Sequence, residues 1–479
     1  MLFNSLDFAV FLPIVFALYW FVTNHNLKLQ NALIVAASYV FYGWWDWRFL
    51  SLIIFSTLVD YSIGRRLKNE EKPSTRKILL WTSIIVNLGF LGFFKYYNFF
   101  LDNFIAAFSF FGQEIQPNTL NIILPVGISF YTFQTLSYTI DVYKKKLEPT
   151  KDFIAFSAFV CFFPQLVAGP IERATNLLPQ FYKKRTFEHD KAVDGMRQIL
   201  WGLFKKVVIA DNCAEYANLI FNNYQDYNGS TLLLGAIFFT FQIYGDFSGY
   251  SDIAIGTSRL FGFNLKQNFA TPYFSRDIAE FWRRWHMSLS TWFRDYLYIP
   301  LGGSRGGTWM KVRNTFIIFL VSGFWHGANW TFIAWGGLNA LYFLPLLLLK
   351  RNRKNLGVAA QGRTLPTFKE IIQIGTTFLL TVLAWVFFRV KNIQEGIYIL
   401  NVIASKSILE LPRFPGITIA AKTIILVILL ILYEWKHREH THPLITAKMT
   451  IKNVLIYVAL VVLLLFFNNK DNTFIYFQF

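Results

Sequence analysis

The sequence has little charge and almost no cysteine. Only 15% of its residues are charged, whereas 54% are hydrophobic and 19% are aromatic, which is unlike a water-soluble protein of this length. Its two cysteines, Cys161 and Cys213, lie near apolar segments, so neither a disulfide framework nor a cysteine metal site is expected. The first residues lack a basic region and an Ala-x-Ala-like cleavage site, and we therefore expect a retained first span.

Long apolar runs dominate the chain instead. Runs of roughly 20 residues, long enough to cross a bilayer, recur along nearly the whole length, without a repeat of fixed period. The sequence therefore predicts an all-α polytopic membrane protein, because helices satisfy their backbone hydrogen bonds within lipid. Residues 350–368 are the only stretch typical of a soluble linker, and we predict one transmembrane domain over residues 1–479.

The net charge of +18 lies in loops between the apolar runs, a distribution that argues against nucleic acid as a partner. The basic stretch from Arg65 to Lys77 separates two such runs, and the positive-inside rule makes it cytoplasmic. Counting spans from this stretch places both termini outside, including the tail over residues 468–479.

Two apolar segments break this alternation, because basic residues flank both of their ends. One is 153–169, where the stretch FPQLVAGPIE at 163–172 contains the helix breakers of a re-entrant turn. The other is 314–349, which is too long for one ordinary helix and predicts a hairpin that turns near Gly323 and Gly327. Such a hairpin carries His326 close to mid-membrane.

Two of the seven histidines are functional candidates. His326 is ionisable and predicted to lie within the membrane, where such residues usually serve function, although packing through a satisfied neutral ring is the alternative. His286 lies in 277–303, where apolar residues at helical spacing oppose charged ones, which predicts an amphipathic helix that lies along the cytoplasmic interface or closes a pore mouth. His286 itself has either a functional or a structural role. Five others fall in polar loops and are expected to be solvated, namely His25, His189, His437, His440 and His442.

Acidic residues also occur inside an apolar run. The stretch FQIYGDFSGYSD places Asp246 and Asp252 in a span predicted near 231–256. Buried carboxylates need partners, so these two either pair with Arg259 or Arg276 or bind substrate.

Three motifs carry a family resemblance that covers nearly the whole chain. The stretches FFPQLVAGPI (162–171), FWRRWHMSLSTWFRDYLYIPLGGSR (281–305) and SGFWHGANWTFIAWGGLNAL (322–341) overlap the motif segments 163–172, 277–303 and 322–340. They resemble the membrane-bound O-acyltransferase (MBOAT) superfamily. The likeness is to its bacterial AlgI-like branch, which is related to DltB. The resemblance implies roughly 11 to 13 membrane helices, re-entrant segments included, around a central funnel. It also implies that His326 is the invariant family histidine and His286 the second motif position.

Acyl transfer from a thioester to a hydroxyl needs a base, and a neutral intramembrane imidazole suits that task. We predict His326 as the base, with Trp325, Asn329 and His286 as candidates for orienting or oxyanion roles. Around neither histidine does a carboxylate stand at zinc-protease spacing, so no metal or permanently bound cofactor is expected. The other predicted substrate-binding residues are Trp285 and the phosphate-binding candidates Arg283, Arg284 and Arg305.

Several functions compete. A transporter or a catalytically inactive structural partner fits the fold less well than an acyltransferase does, because the motifs match and His326 is present. The resemblance implies O-acetylation of an exported polysaccharide, with acetyl-CoA or an acyl carrier protein thioester as cytoplasmic donor. It also implies the bacterial cytoplasmic membrane and an extracellular SGNH-type transferase as partner. D-alanylation of teichoic acid and acylation of a lipid are the alternatives.

The stretch FIYFQF at 474–479 has two interpretations. It is either an aromatic anchor at the membrane surface or an acyl relay, in which the hydroxyl of Tyr476 accepts the acyl group with His326 as base. A phenol is easier to deprotonate than a sugar hydroxyl and is the better leaving group afterwards.

Overall fold

The computed structural model describes residues 1–110, 120, 122–445, 450–467 and 474–475, and these residues form helices and loops without a strand. The chain folds as two compact units, Met1–Val193 with Thr257–Lys266, and Asp194–Gly256 with Gln267–Phe479. The helices of the first unit are α1 (Leu6–Ala17), α2 (Leu27–Asp46), α3 (Leu50–Asn69), α4 (Pro73–Leu91), α5 (Tyr97–Phe110), α6 (Ile128–Tyr143), α7 (Phe153–Cys161), α8 (Phe163–Leu166) and α9 (Ala174–Leu177).

The second unit contains ten further helices in its described residues, together with the larger part of α10, whose first residues belong to the first unit. They are α10 (His189–Leu203), α11 (Asp211–Asn222), α12 (Gly229–Leu260), α13 (Ile278–Arg284), α14 (Met287–Phe293), α15 (Thr308–His326), α16 (Trp330–Leu348), α17 (Phe368–Arg389), α18 (Ile393–Ile403), α19 (Ile417–Lys436) and α20 (Ile451–Phe467).

The apolar helices fit a membrane protein. Within the described residues, five segments are long and apolar enough to cross a bilayer: Pro73–Ser109, α12, α16, α17 and α19. Shorter apolar helices such as Leu6–Val22 and Ile451–Phe467 accompany them. The all-α prediction is confirmed, while the predicted roughly 11 to 13 membrane helices and the single domain stay predictions.

The first unit breaks its helix in the motif at 163–172. Helix α7 ends at Cys161, α8 is a single turn, and the chain leaves it through Gly169 and Pro170. A Cβ at Gly169 would stand 2.6 Å from the Cα of Gln165, so this sharp turn requires glycine. The helix breakers therefore act where the sequence predicts them; re-entry into the membrane stays a prediction.

A buried carboxylate joins three helices of the first unit. Asp60 of α3 accepts hydrogen bonds from Ser83 of α4 (2.5 Å), Asn87 of α4 (2.9 Å) and Thr139 of α6 (3.0 Å). Polar donors from neighbouring helices offset the cost of burying this group.

The carboxylates of α12, of which Asp246 is buried and Asp252 half-buried, have lysine partners. Lys205 lies 2.6 Å from Asp252, and Lys206 lies 2.9 Å from both Asp246 and Asp211. Both lysines belong to the π-helical turn Phe204–Ala210, which links α10 to α11. The predicted pairing with Arg276 is wrong, because that guanidinium binds Glu280 at 3.0 Å.

One histidine expected in solvent is buried. The Nε2 of His442 lies 2.9 Å from Asp194, and the residue is 2% exposed. The prediction of a solvated His442 is therefore wrong, because Asp194, which is far away in the sequence, provides a polar partner for the buried ring.

Candidate active site

The helix is interrupted at His286, where the sequence pattern predicts a continuous helix. Helix α13 begins at a cap made by Asp277 and ends before Trp285, whose backbone is extended. His286 has φ 44° and ψ 54°, a left-handed conformation that costs free energy in a non-glycine residue. The predicted single amphipathic helix over 277–303 is therefore wrong, and two short helices flank the histidine instead.

Asn268, which lies outside the motif, stabilises this interruption of the helix by hydrogen bonds. Its side-chain oxygen accepts hydrogen bonds from Nδ1 of His286 (3.1 Å), the backbone N–H of Ser288 (3.2 Å) and the hydroxyl of Ser288 (2.9 Å). Its backbone carbonyl also accepts from the N–H of Met287 at 2.9 Å. Because a carbonyl oxygen only accepts, Nδ1 of His286 carries the proton, and Nε2 is the nitrogen with a lone pair for chemistry.

His326 is the last residue of α15, at the turn of a tight helical hairpin. Helices α15 and α16 pack so closely that a Cβ at Gly323 would overlap the carbonyl of Phe332, and one at Gly327 would overlap the Phe332 ring. The chain turns over residues 327–329 and enters α16 at Trp330. The predicted hairpin in 314–349 is confirmed.

The structure brings the two predicted histidines together. The ring centroids of His286 and His326 lie 6.4 Å apart, and the ring of Trp325 lies 6.2 Å from the first and 5.0 Å from the second. Trp335 of α16 packs edge-on against His326 at 5.2 Å. Aromatic rings thus pack against both imidazoles and fix their orientation.

His286 is buried, at 1% exposure, and lies outside the membrane-spanning helices. Phe247 of α12 packs edge-on against its ring at 4.6 Å. This burial lowers the pKa of His286 to about 3, since an apolar environment disfavours the charged imidazolium. The ring is therefore neutral at physiological pH.

A cavity of about 240 Å³ connects the histidines to the surface. One face of α15 lines it, from Thr315 to His326, a distance of roughly 16 Å at the rise of an α-helix. The exposed side chains of Arg294, Ser304 and Arg353 line its mouth, whereas His286 and His326 are buried. The cavity thus runs from a basic, polar entrance to the two buried imidazoles.

Two predicted arginines lie elsewhere. Arg283 donates to the carbonyls of Asn352 (2.8 Å) and Asn355 (2.7 Å), and Arg284 binds Glu280 at 3.0 Å. Both hold protein groups and neither lines the cavity. Arg305 is exposed and follows Ser304 at the mouth.

The remaining predicted substrate-binding residues, Trp285 and Asn329, contact other protein groups around the site. Trp285 is 1% exposed and stacks on Phe281, with ring centroids 5.5 Å apart. The side chain of Asn329 caps α16 by accepting from the N–H of Thr331, and it donates to the carbonyl of Lys391 at 2.9 Å. Both residues thus make contacts that position the hairpin and the break.

Sequence reasoning missed three residues of this site. Asn268 lies in a loop without periodicity, and its contact with 286–288 has no local signal. Arg353 falls in the stretch 350–368 predicted as a soluble linker, which Arg283, Arg284 and Arg438 in fact bind through its carbonyls. Arg294 lies in the segment 277–303, whose spacing predicts a charged helix face but does not indicate that this arginine lines the cavity mouth.

The last described residues of the chain pack near the same site. The backbone N–H of Ile475 donates to Asp246 at 2.6 Å, and the ring of Phe474 lies 4.8 Å from that of Tyr250. Both tail residues are 1% exposed. The predicted relay residue Tyr476 lies outside the described residues.

Comparison with known proteins agrees with this geometry. The family model described as MBOAT, membrane-bound O-acyltransferase family, matches residues 147–388. The chain is 44% identical over 398 residues to the "Probable alginate O-acetylase AlgI" of Pseudomonas aeruginosa, covering 82% of this chain and 73% of that protein. It is 35% identical over 430 residues to the "Peptidoglycan O-acetyltransferase" of Helicobacter pylori, covering 84% and 79%.

A third relative matches a shorter part. The "Teichoic acid D-alanyltransferase" of Bacillus subtilis is 30% identical over 232 residues, which is 46% of this chain and 58% of that protein. The matched family segment contains both histidines and the whole cavity between them. The chain therefore belongs to the membrane-bound O-acyltransferase family of acyltransferases.

Proposed function

We propose that the protein transfers an acetyl group from a cytoplasmic thioester for the O-acetylation of an exported cell-surface polysaccharide. One observation carries the proposal: a single cavity joins a basic mouth to two adjacent buried histidines. The names of the relatives from Pseudomonas and Helicobacter, an alginate O-acetylase and a peptidoglycan O-acetyltransferase, support a glycan as acceptor.

The chemistry follows from the two imidazoles. In the proposed reaction, His326 takes the proton of the acceptor hydroxyl as its oxygen attacks the thioester carbonyl. The tetrahedral oxyanion then collapses, the carbon–sulfur bond breaks, and the imidazolium returns the proton to the thiolate. Trp325 is the proposed partner of the oxyanion, because its indole N–H is a donor and its ring lies beside His326. His286 has an orienting role in this proposal, because its Nε2 can accept a hydrogen bond from the substrate and its ring lies 6.4 Å from that of His326.

The donor enters at the mouth in this proposal. Arg294 and Arg353, which line the mouth, are the proposed partners of its phosphates in place of Arg283 and Arg284. The cavity is roughly 16 Å deep, which suits the flexible thiol arm that coenzyme A and acyl carrier proteins share. Acetyl-CoA or an acyl carrier protein thioester is therefore the proposed donor, with no resident cofactor.

The acceptor side follows from the predicted orientation. We propose that the protein lies in the bacterial cytoplasmic membrane with both termini outside, so that the acyl group leaves on the outer face. Tyr476 is the proposed relay: its phenol oxygen attacks the thioester, the thiol departs, and an aryl ester forms. An extracellular SGNH-type transferase then moves the acyl group to the glycan and regenerates the phenol. The anchoring of Phe474 and Ile475 within the second unit supports a tail that reaches inward.

Disruption of the gene tests the proposal directly. Mass spectrometry of the cell-surface glycan should show loss of O-acetyl esters, restored by the wild-type gene but not by His326→Ala. Unchanged O-acetylation in the disrupted strain would contradict the proposal. Loss of D-alanyl esters from teichoic acid, with O-acetyl esters intact, would assign the chain to the activity named for the Bacillus relative.

A further inference from the structure

The described part of the C-terminal tail contacts a buried ionic cluster of the second unit. Lys206, in the π-helical turn between α10 and α11, lies 2.9 Å from Asp211 of α11 and 2.9 Å from Asp246 of α12. All three side chains are at most 7% exposed. Buried charges are costly to desolvate, and the proposed chemistry of the two histidines uses none of these three.

The two oxygens of Asp246 have different partners. Oδ1 binds the ammonium of Lys206, and Oδ2 accepts the backbone N–H of Ile475 at 2.6 Å. The lysine thus fixes the carboxylate while its second oxygen holds the tail. A hydrogen bond to a charged acceptor is stronger than one between neutral groups, and this one requires only a backbone donor.

An aromatic surface lies beside this carboxylate on α12. The ring of Phe474 lies 4.8 Å from that of Tyr250 and 6.4 Å from that of Phe247. Phe247 also packs edge-on against His286 at 4.6 Å. The same phenylalanine of α12 therefore contacts both the tail and a histidine of the candidate active site.

The helix that precedes the tail packs nearby. Helix α20 contacts the π-helical turn that contains Lys206, and residues 468–473 connect this helix to Phe474. The chain therefore contacts this region both before and after the connecting segment. Ordering a chain end costs conformational entropy, and the buried contacts of Phe474 and Ile475 offset that cost.

We propose that Lys206, Asp211 and Asp246 form a tail dock, which positions the C-terminal tail beside the candidate active site. They are positioning residues, because they act through the backbone of Ile475. The next residue in the sequence is Tyr476, the proposed acyl relay, so the tail dock fixes the chain one residue before the phenol that accepts the acyl group. This positioning role rests on the proposed function, whereas the binding of the tail does not.

Thiol labelling tests the binding of the tail. Ile475→Cys keeps the backbone N–H and places a thiol at a position that is 1% exposed, and the two natural cysteines are also buried. Adding Asp246→Ala removes the acceptor of the tail, while Lys206 keeps Asp211 as a partner. We expect N-ethylmaleimide to label the purified protein at residue 475 at least about tenfold faster with Asp246→Ala present, because the tail loses a charge-assisted hydrogen bond.

The matched control is Asp252→Ala. It also removes a carboxylate of α12 whose lysine partner belongs to the same π-helical turn, but the partners of Asp252 are Lys205 and Gln198. Labelling should therefore stay at the rate of Ile475→Cys alone. An unchanged rate in a folded Asp246→Ala protein, or equal acceleration by both alanine variants, would overturn the tail dock. Gel filtration in the same detergent establishes folding.

Ile475→Pro tests the positioning role without changing a buried charge. It removes the N–H that Asp246 accepts, whereas Ile475→Val keeps it. Ile475→Pro should lower kcat for acetylation by about 10- to 100-fold, and Ile475→Val should recover the lost activity. KM for the thioester should change little, because neither Phe474 nor Ile475 lines the cavity.

Two outcomes separate the positioning role from the relay. Wild-type kcat in Ile475→Pro would overturn the positioning role of the tail dock. Wild-type acetylation by Tyr476→Phe would instead overturn the proposed relay, a failure that the labelling result does not share.

Discussion

The imidazoles of His286 and His326 have their centroids 6.4 Å apart, although one lies in a strained break between two short helices and the other at the turn of a hairpin. This spacing is short enough for a single ester group to touch both rings. The two histidines therefore belong to one site, in which the first is fixed by Asn268 and the second by its position at the end of α15.

His326→Ala should reduce acyl transfer by at least about 100-fold, because it removes the general base. His286→Ala should cost less, because it removes only a proposed orienting residue. Both are measured as O-acetyl content of the surface glycan in complemented cells, with folding checked by gel filtration of the purified variants. A folded His326→Ala protein that sustains wild-type acetylation would refute the base assignment. Equal and total loss from both variants would instead indicate a coupled pair.

Asn268→Ala should lower kcat by about 10- to 100-fold, because His286 loses the acceptor that fixes its ring and backbone. KM for the thioester should change little, since Asn268 does not line the cavity. Asn268→Asp keeps the acceptor oxygens and should retain more activity than Asn268→Ala. Asn339→Ala, which removes a buried amide that donates to the carbonyl of Trp335 within α16, controls for general destabilisation. A rise in KM alone would show that Asn268 acts on binding and does not position His286.

Acid should destabilise the protein partly through His286. Its pKa is lowered in the folded state to about 3 from about 6.5 in the unfolded chain, so below the latter value the unfolded state binds more protons. Stability therefore falls as pH drops from about 6.5 towards 3. His286→Gln should flatten the dependence of the apparent Tm on pH in that window, compared with wild type in the same detergent. An identical slope for the two proteins would show that His286 does not titrate on unfolding.

Cysteine labelling should establish the orientation. A cysteine at Lys72 should react with an impermeant thiol reagent only after permeabilisation, because its loop is predicted to be cytoplasmic. A cysteine at Asp471, which lies outside the described residues, should react in intact cells. The reverse pattern would invert the direction of acyl transfer.

Tyr476→Phe separates the two interpretations of the tail. The variant keeps the aromatic ring and removes the hydroxyl, so it should lose glycan acetylation if the phenol carries the acyl group. Mass spectrometry of wild-type protein trapped with donor should show one acetyl group on the C-terminal peptide, absent from the variant. Full acetylation by Tyr476→Phe would leave the tail as an anchor.

The hairpin α15–α16 could be predicted because the apolar segment 314–349 has basic residues at both ends and is too long for one helix. Two helices joined by a turn satisfy both conditions. The motif resemblance then identified His326. The break at His286 could not be predicted, because local periodicity favours a helix and the contacts that override it come from Asn268. The partners of Asp246 and Asp252 were missed for a similar reason: Lys205 and Lys206 face α12 through a π-helical turn, which no sequence spacing indicates.

The bond between Asp246 and the tail has a consequence for how the tail can evolve. Asp246 accepts from the backbone N–H of Ile475, and every amino acid except proline supplies that donor. Residue 475 is therefore open to many side chains of suitable size without loss of the bond, while position 246 has to remain an acceptor. This one contact therefore restricts the side chain at position 246 of α12 more strictly than the side chain at position 475 of the tail.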